Sequence, residues 1–151
     1  MPAAGVGPVK DEFYVGSRFY IELKKVSIEG ITEVSGLALE IDVVDVNQQS
    51  TTGMLSKKRP AGAKFGDITL KRPMTKDKSW YQWAKDIRDR KADFRADGAI
   101  TLYSFDNTEV GRWTFTNAWP SKWSASDLDV SSDDPMTEEL TLTIELLTRD
   151  K

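Results

Sequence analysis

The sequence contains neither cysteine nor histidine among its 151 residues. The absence of cysteine excludes disulfide bonds, thiolate metal sites and a cysteine nucleophile. The absence of histidine removes the usual general base near neutral pH and the most common metal ligand, so histidine-dependent triads and most zinc sites are excluded as well. The catalytic chemistry that remains uses carboxylate pairs, lysine nucleophiles or metal ions held by oxygen ligands.

Long hydrophobic runs are also missing. No apolar run approaches the roughly 20 residues that a membrane-spanning helix requires, so we expect no membrane-spanning segment. Residues 1–15 also lack the apolar stretch of a cleavable secretory signal. Hydrophobic residues make up 39% and charged residues 30% of the chain, a balance typical of one globular domain. The net charge of -3 argues against a basic surface that grips nucleic acid.

Alternation of apolar and polar residues predicts several half-buried strands. In the clearest case, Leu140, Leu142, Ile144 and Leu146 alternate with polar residues. Another pair of strands flanks residues 106–109, which have the composition of a hairpin turn. The predicted strands cover residues 19–24, 37–46, 65–72, 100–105, 110–116 and 140–146.

One helix is predicted at residues 78–90, with Thr75 or Asp77 as its cap. Trp80 and Trp83 begin an apolar stripe at helical spacing on an otherwise charged segment, so this helix should cover a sheet. Six or seven strands with one helix predict a mainly β domain, a small antiparallel β-barrel or sandwich with one flanking α-helix.

Residues 47–63 are polar and have no hydrophobic period, which predicts a connection longer than is usual in a compact domain. The segment includes a basic run of Lys57, Lys58 and Arg59. Because no aromatic residue stands beside this run, an acidic protein partner is favoured over single-stranded nucleic acid. The acidic stretch at residues 127–134 of a neighbouring copy is the candidate for that partner.

Acidic residues offer the remaining candidates for chemistry. Glu40 and Asp42 share a predicted strand face, and Asp133 is adjacent to Asp134. Neither pair shows the buried acid opposite a second carboxylate that a glycosidase needs. The aspartates of residues 127–134 do not have the spacing of a calcium loop. We therefore interpret these residues as solvated surface, with a carboxylate hydrolase as the weaker alternative.

The aromatic residues of 113–123 favour packing over ligand binding. Trp113 and Phe115 share a predicted strand face and should meet the helix stripe. Trp119 and Trp123 flank Pro120 in a predicted loop and are candidates for a subunit contact, where tryptophan is enriched. A monomeric β-barrel module that binds a sugar or another small ligand through these rings is the alternative of a different class.

Four short sequence motifs, which occur in a fixed order, give more specific information than the composition does. They lie at residues 32–37 (TEVSGL), at 59–60 with 64–72 (RP and KFGDITLKR), at 80–83 (WYQW) and at 117–123 (NAWPSKW). Together they resemble the conserved tail-region family that forms the inner tube of contractile phage tails, R-type bacteriocins and extracellular contractile injection systems. The resemblance covers residues 17–147 and extends to the type VI secretion tube protein.

This resemblance implies a non-enzymatic protomer without cofactors or metal ions. Such subunits form hexameric rings that stack into a tube inside a contractile sheath, and cargo or DNA passes through the lumen without specific binding. The implied partners are further copies of the chain, the sheath protein, the baseplate or spike, and terminator proteins. The implied setting is assembly in the bacterial cytoplasm into a phage tail or injection particle. A tube initiator or baseplate ring protein is the alternative within the family.

The resemblance also implies a division of the chain. Residues 1–16 would be an N-terminal arm, and residues 17–151 a single tube domain whose long loop at 47–63 reaches the adjacent ring. The candidates for inter-ring contacts are Gln48, Gln49, Thr51, Met54, Leu55, Lys57, Lys58 and Arg59. The candidates for other subunit contacts are Trp119, Lys122, Trp123, Asp127 and Asp129.

Overall fold

A computed structural model describes residues 16, 18–24, 28, 30–50, 53–91 and 94–151. The predicted N-terminal arm therefore lies outside the described residues apart from Gly16, and so does Thr51. The described part contains nine strands and one helix. The elements are β1 (Phe19–Leu23), β2 (Glu33–Ser35), β3 (Leu39–Ser50), β4 (Gly53–Phe65), β5 (Ile68–Pro73), α1 (Ser79–Arg88), β6 (Ala96–Tyr103), β7 (Glu109–Ala125), β8 (Thr137–Thr143) and β9 (Leu146–Arg149).

Seven strands form one sheet in the order β1-β6-β7-β8-β5-β2, with β9 also paired to β7, and every pairing is antiparallel. The mainly β prediction is confirmed. The barrel alternative is wrong in one respect, because no pairing joins the end strands β1 and β2 within the described residues, and the sheet stays open. The fold is therefore sandwich-like, with nine strands where six or seven were predicted.

The added strands are β2, β4 and β9, and β7 is longer than the strand predicted at residues 110–116. Its first half pairs with β6 and β9, and its second half pairs with β8. Asn117 sits at the change of partners with a φ of 53°, and its backbone N–H donates to the Asp97 carboxylate at 3.0 Å. The register also shifts between Pro120 and Lys122, where a bulge accommodates a proline that has no N–H for the ladder.

The long β7 corrects two predictions. Trp119 and Trp123 were expected in a loop, but both lie within this strand. The single strand expected at residues 140–146 is divided into β8 and β9 with a break at Ile144 and Glu145. Apolar alternation could not show this break, because Ile144 remains buried while the chain bends.

The core lies between the sheet and α1. The helix runs from Ser79 to Arg88, close to the predicted span, and it buries Trp80 and Trp83. Asp77 accepts hydrogen bonds from the backbone N–H and the hydroxyl of Ser79, both at 3.0 Å. The N-cap residue is nevertheless Lys78, whose side chain makes no capping hydrogen bond, so the prediction of Thr75 or Asp77 as the cap is wrong. The backbone bond from Ser79 is the largest influence that lowers the pKa of Asp77 below its ordinary value. The buried apolar residues include Ile21, Ile68, Leu70, Phe115, Ala118, Leu140 and Leu142.

A buried ion pair crosses this core. Arg72 of β5 donates from Nε to Glu138 of β8 at 2.6 Å, and the two side chains are only 2% and 3% exposed. The Arg72 guanidinium lies 4.0 Å from the centre of the Trp80 ring, and its Nη1 donates to Asp77 at 3.2 Å. The second oxygen of Glu138 accepts a hydrogen bond from the Trp123 indole at 3.1 Å. The pair thus joins β5, β7, β8 and the start of α1.

Strands β3 and β4 form a separate two-stranded hairpin, which corrects the prediction of a polar loop at residues 47–63. The strand predicted at 37–46 begins at Leu39 and continues to Ser50. The two strands satisfy each other's backbone hydrogen bonds and bury almost none of their side chains. Because residues 47–63 bury no side-chain face, their sequence has no reason to alternate.

Gly36 fixes the chain at the base of this hairpin. Its φ is +91°, and a Cβ at this position would lie 1.9 Å from the backbone oxygen of Asp67. The neighbouring Gly66 donates its N–H to the Ala38 carbonyl at 3.0 Å. Only glycine combines the left-handed backbone with this close approach, so the hairpin leaves the sheet at a defined place.

We expect Gly36→Ala to destabilise the protomer by about 2 kcal/mol or more, because both the backbone conformation and the contact with Asp67 are lost. The control is Gly62→Ala, because Gly62 lies in β4 with no atom within 4 Å of its added Cβ. Urea denaturation of the monomeric protein measures the difference. Equal losses of stability in the two variants would contradict the role given to Gly36.

We expect Arg72→Met to lower the free energy of unfolding by about 3–5 kcal/mol, because it leaves the Glu138 carboxylate buried without its cation. The double variant Arg72→Met with Glu138→Leu removes both charges and should recover most of that loss. Denaturation of the two variants and the parent protein tests this. A double variant no more stable than Arg72→Met would show that the pair is not the source of the loss.

Candidate functional site

The hairpin of β3 and β4 presents two faces of different chemistry. We call the face of Leu39, Ile41, Val43, Asp45, Asn47 and Gln49, with their cross-strand partners, the odd face. We call the face of Glu40, Asp42, Val44, Val46 and Gln48, with their partners, the even face. The partners follow from the register, in which Leu39 pairs with Phe65 at the base and Gln49 pairs with Met54 near the tip.

The odd face is apolar near the base of the hairpin. Leu39 is 60%, Ile41 52% and Val43 63% exposed, and their cross-strand partners are Phe65, Ala63 and Pro60. A continuous row of large apolar side chains in water is unusual for a surface that stays free, and it marks an interaction site. Sequence reasoning placed these same residues on one strand face but did not foresee that this face is uncovered.

The even face carries charge. Near the base, Lys64 forms ion pairs with Glu40 at 3.9 Å and with Asp42 at 3.6 Å. Further out, Val44 lies opposite Arg59 and Val46 lies opposite Lys57. Lys57 and Arg59 form no ion pair with any described residue, so their charges face solvent beside a strip of valines.

The structure brings together the residues predicted for the inter-ring contact. All of those within the described range lie in the outer part of the hairpin and are exposed, but they divide between its two faces. Gln48, Leu55, Lys57 and Arg59 belong to the even face, and Gln49, Met54 and Lys58 belong to the odd face.

The second predicted group is not brought together in this way. Trp119 and Trp123 are half-buried, with Trp119 packed edge-on against Phe94 and Trp123 packed against Tyr81. Lys122 is exposed on β7.

Asp127 and Asp129 lie in the exposed loop of residues 126–136 between β7 and β8. The backbone N–H of Ser131 donates to Asp129 at 2.9 Å, and this bond is the largest influence that lowers the pKa of Asp129 below its ordinary value. The same loop exposes Leu128 and Val130 almost completely. Sequence reasoning singled out the aspartates and missed these two apolar neighbours.

The described residues contain no group of three or more acidic side chains arranged to hold a metal ion. Glu40 and Asp42, which share a strand face as predicted, are on an exposed hairpin and share Lys64 as their counter-ion. Within the same part of the chain, no helix has the length and apolar character needed to cross a membrane. The main candidate for a functional site is thus the hairpin of β3 and β4, with its exposed apolar row.

Comparison with solved structures shows the same fold in tube assemblies. A chain of the PVC sheath–tube complex in its extended state, an extracellular contractile injection system, is 21% identical, with a TM-score of 0.78 and 93% of each chain covered. A chain from the anti-feeding prophage cap, which terminates the AFP tube, is 22% identical, with a TM-score of 0.81, covering 100% of this chain and 99% of that one. Hcp1 from Flavobacterium johnsoniae is more distant, with 17% identity, a TM-score of 0.52 and coverage of 88% and 94%.

Comparison with curated protein sequences gives no significant match. A family model does match, over residues 15–148 and therefore over nearly the whole chain, and it describes the T4-like virus tail tube protein gp19. Its span includes the sheet, the helix, the hairpin and all four sequence motifs. The chain therefore belongs to the T4-like virus tail tube protein gp19 family.

Proposed function

We propose that the chain is a structural protomer of the inner tube of a contractile tail or injection system. Copies would close into hexameric rings, and the rings would stack into a tube whose lumen conducts cargo or DNA after the sheath contracts. The observation that carries this proposal is the hairpin of β3 and β4, which exposes Leu39, Ile41 and Val43 and pairs with no other strand among the described residues. Membership of the tail tube family supports it independently.

The hairpin suits a subunit that must contact copies of itself in two directions. A ring closes by rotation and a stack repeats by translation, so one protomer needs distinct surfaces for the two contacts. The apolar row lies at the base of the hairpin, within reach of a neighbour beside the protomer in the ring. At the usual rise of a strand, the tip of the hairpin lies about 35 Å from that base, which suits a contact with the adjacent ring.

The role is mechanical and needs no catalysis. Carboxylate catalysis needs a buried acid opposite a second carboxylate. Glu138 is buried, but its partner is Arg72, and the Glu40 and Asp42 carboxylates are solvated. We therefore propose a protein that is not an enzyme and uses no cofactor. Its other partners would be the sheath, the baseplate or spike, and terminator proteins, with assembly in the bacterial cytoplasm.

A position at one end of the tube is the alternative within this function. The similarity to a chain of the AFP tube terminating cap covers the whole of this protein, and another similar chain comes from the AFP baseplate in its 6-fold symmetrised form. An end protein would share the fold and the ring contacts but would stack on one side only. Long tubes formed by the isolated protein would favour the main tube subunit over this alternative.

We expect the double variant Ile41→Ser and Val43→Ser to abolish ring formation while leaving the protomer folded. Both side chains are more than half exposed, so their loss should change the stability of the monomer by less than about 1 kcal/mol. Electron microscopy of negatively stained protein and sedimentation velocity measure assembly, and circular dichroism checks the fold.

The control is Phe105→Ser in the turn between β6 and β7, where an 87% exposed aromatic ring is removed away from the hairpin. This variant should assemble like the parent protein. Rings and tubes formed equally well by the double variant would contradict the proposed use of the odd face. A parent protein that stays monomeric at high concentration, and also when supplied with assembled tube ends, would contradict the proposed function itself.

A further inference from the structure

The outer half of the even face has the composition of a contact surface, and its side chains remain exposed among the described residues of the protomer. Val44 is 48% and Leu55 is 49% exposed, and Val46 lies between them on the same face. Lys57 and Arg59 flank this strip, and no described carboxylate pairs with either cation. A surface that covered this face would need apolar side chains together with negative charge.

The loop between β7 and β8 has that complementary composition. Leu128 is 82% exposed and Val130 is fully exposed, and they alternate with Asp127 and Asp129. Two further aspartates follow at positions 133 and 134, and the stretch of residues 127–134 contains no lysine or arginine. Apolar side chains with acidic neighbours would thus face apolar side chains with basic neighbours.

The topology places these two surfaces at opposite ends of one protomer. Strand β5 begins at Ile68, directly after the base of the hairpin, and ends at Pro73, which pairs with Thr137 beside the acidic loop. The N–H of Met74 donates to the carbonyl of Met136 at 2.8 Å, which ties the loop to that end of β5. The six residues of β5 alone separate the base of the hairpin from the acidic loop by about 17–20 Å, and among the described residues β3 and β4 pair with no strand of the main sheet.

We propose that the even face of the hairpin docks on residues 127–134 of a second copy, the next one along the tube axis. The inference rests on the proposed tube function and names the surface and partner of its stacking contact. Because the two surfaces lie at opposite ends, the contact joins copies head to tail and repeats without closing, which generates a column of rings. The valine strip and Leu55 would be covered by Leu128 and Val130, with the opposite charges around them.

The register also separates Lys58 from the two cations that take part. Lys58 lies on the odd face, directly opposite Asp45, whereas Lys57 and Arg59 lie opposite valines on the even face. Within this basic run, only Lys57 and Arg59 belong to the proposed contact surface. Lys58 has a carboxylate-bearing residue across the strand in its own protomer, and it supplies a matched control of the same charge in the same segment.

The first experiment reverses charges. Lys57→Glu with Arg59→Glu should leave hexameric rings intact and reduce the fraction of rings that stack into tubes by at least about tenfold, because attraction becomes repulsion. Lys58→Glu should stack like the parent protein. Adding Asp127→Lys and Asp129→Lys to the first variant should restore stacking, and stacking by the parent protein should weaken as salt increases. Electron microscopy counts rings and tubes.

The second experiment uses the absence of cysteine from the chain. Leu55→Cys with Leu128→Cys places one thiol on each proposed surface, and mild oxidation of assembled tubes should give a ladder of disulfide-linked oligomers on a non-reducing gel. Each single variant should give no ladder. Lys58→Cys with Leu128→Cys is the matched control, because Lys58 is exposed in the same segment of β4 but lies on the odd face.

The outcomes separate this inference from the proposed function. Tubes formed equally by Lys57→Glu with Arg59→Glu, or a ladder from the Lys58 control and none from the Leu55 pair, would overturn the docking contact while leaving a tube protein. A parent protein that forms neither rings nor tubes would overturn both. Loss of stacking that the reversed aspartates restore, together with a ladder specific to the Leu55 pair, would support the contact.

Discussion

The sheet depends most on the buried pair of Arg72 and Glu138. Two charges taken out of water are tolerable only when each has a close partner, and here the guanidinium and the carboxylate meet at 2.6 Å with both side chains almost fully buried. Trp80 lies against the Arg72 guanidinium, and Trp123 donates a hydrogen bond to the Glu138 carboxylate. The register of β5 against β8 must therefore be kept, since a slip by one residue would leave a charge alone in the core.

This fixed register gives the hairpin a firm base. Strand β5 follows β4 after only Gly66 and Asp67, and the left-handed Gly36 packs its backbone against Asp67 on the other side. The hairpin itself adds little to the core, because its side chains are exposed along nearly the whole length. The protomer thus consists of a sheet that carries the stability and a hairpin that, under the proposed function, carries the contacts. In a tube assembled from such subunits, the contacts between protomers would be made by the hairpin, the element that contributes least to the stability of the protomer.

The fold was predictable where one side of an element is buried. Strands β1 and β5, the turn between β6 and β7, and the helix with Trp80 and Trp83 all follow from the period of their apolar residues, since burial on one face imposes that period. The same reasoning failed at residues 47–63, where backbone pairing alone maintains the strands. It also failed at Asn117, because a change of sheet partners within one long strand leaves no mark in hydrophobicity.

The candidate site could be predicted only in outline. The basic run and the acidic loop are visible in the sequence, and so is their opposite charge. Strand alternation alone places Lys57 and Arg59 on one face and Lys58 on the other, but the sequence does not show that residues 53–65 form a strand. It also does not show which β3 residues share the face of Lys57 and Arg59, because this depends on the bulge between the pairs of Ile41 and Val43. It also does not show that the base of the hairpin and the acidic loop lie at opposite ends of β5, which favours a contact between copies over one within a copy.

The separation of the hairpin of β3 and β4 from the core has an evolutionary consequence. A substitution in the hairpin changes what the protomer recognises without the loss of stability that accompanies substitutions in a core. Duplicated genes for such a protein could therefore acquire different stacking preferences quickly, each copy keeping the same sheet. A machine that must build its tube in a set order could encode that order in a few exposed residues at the end of one hairpin.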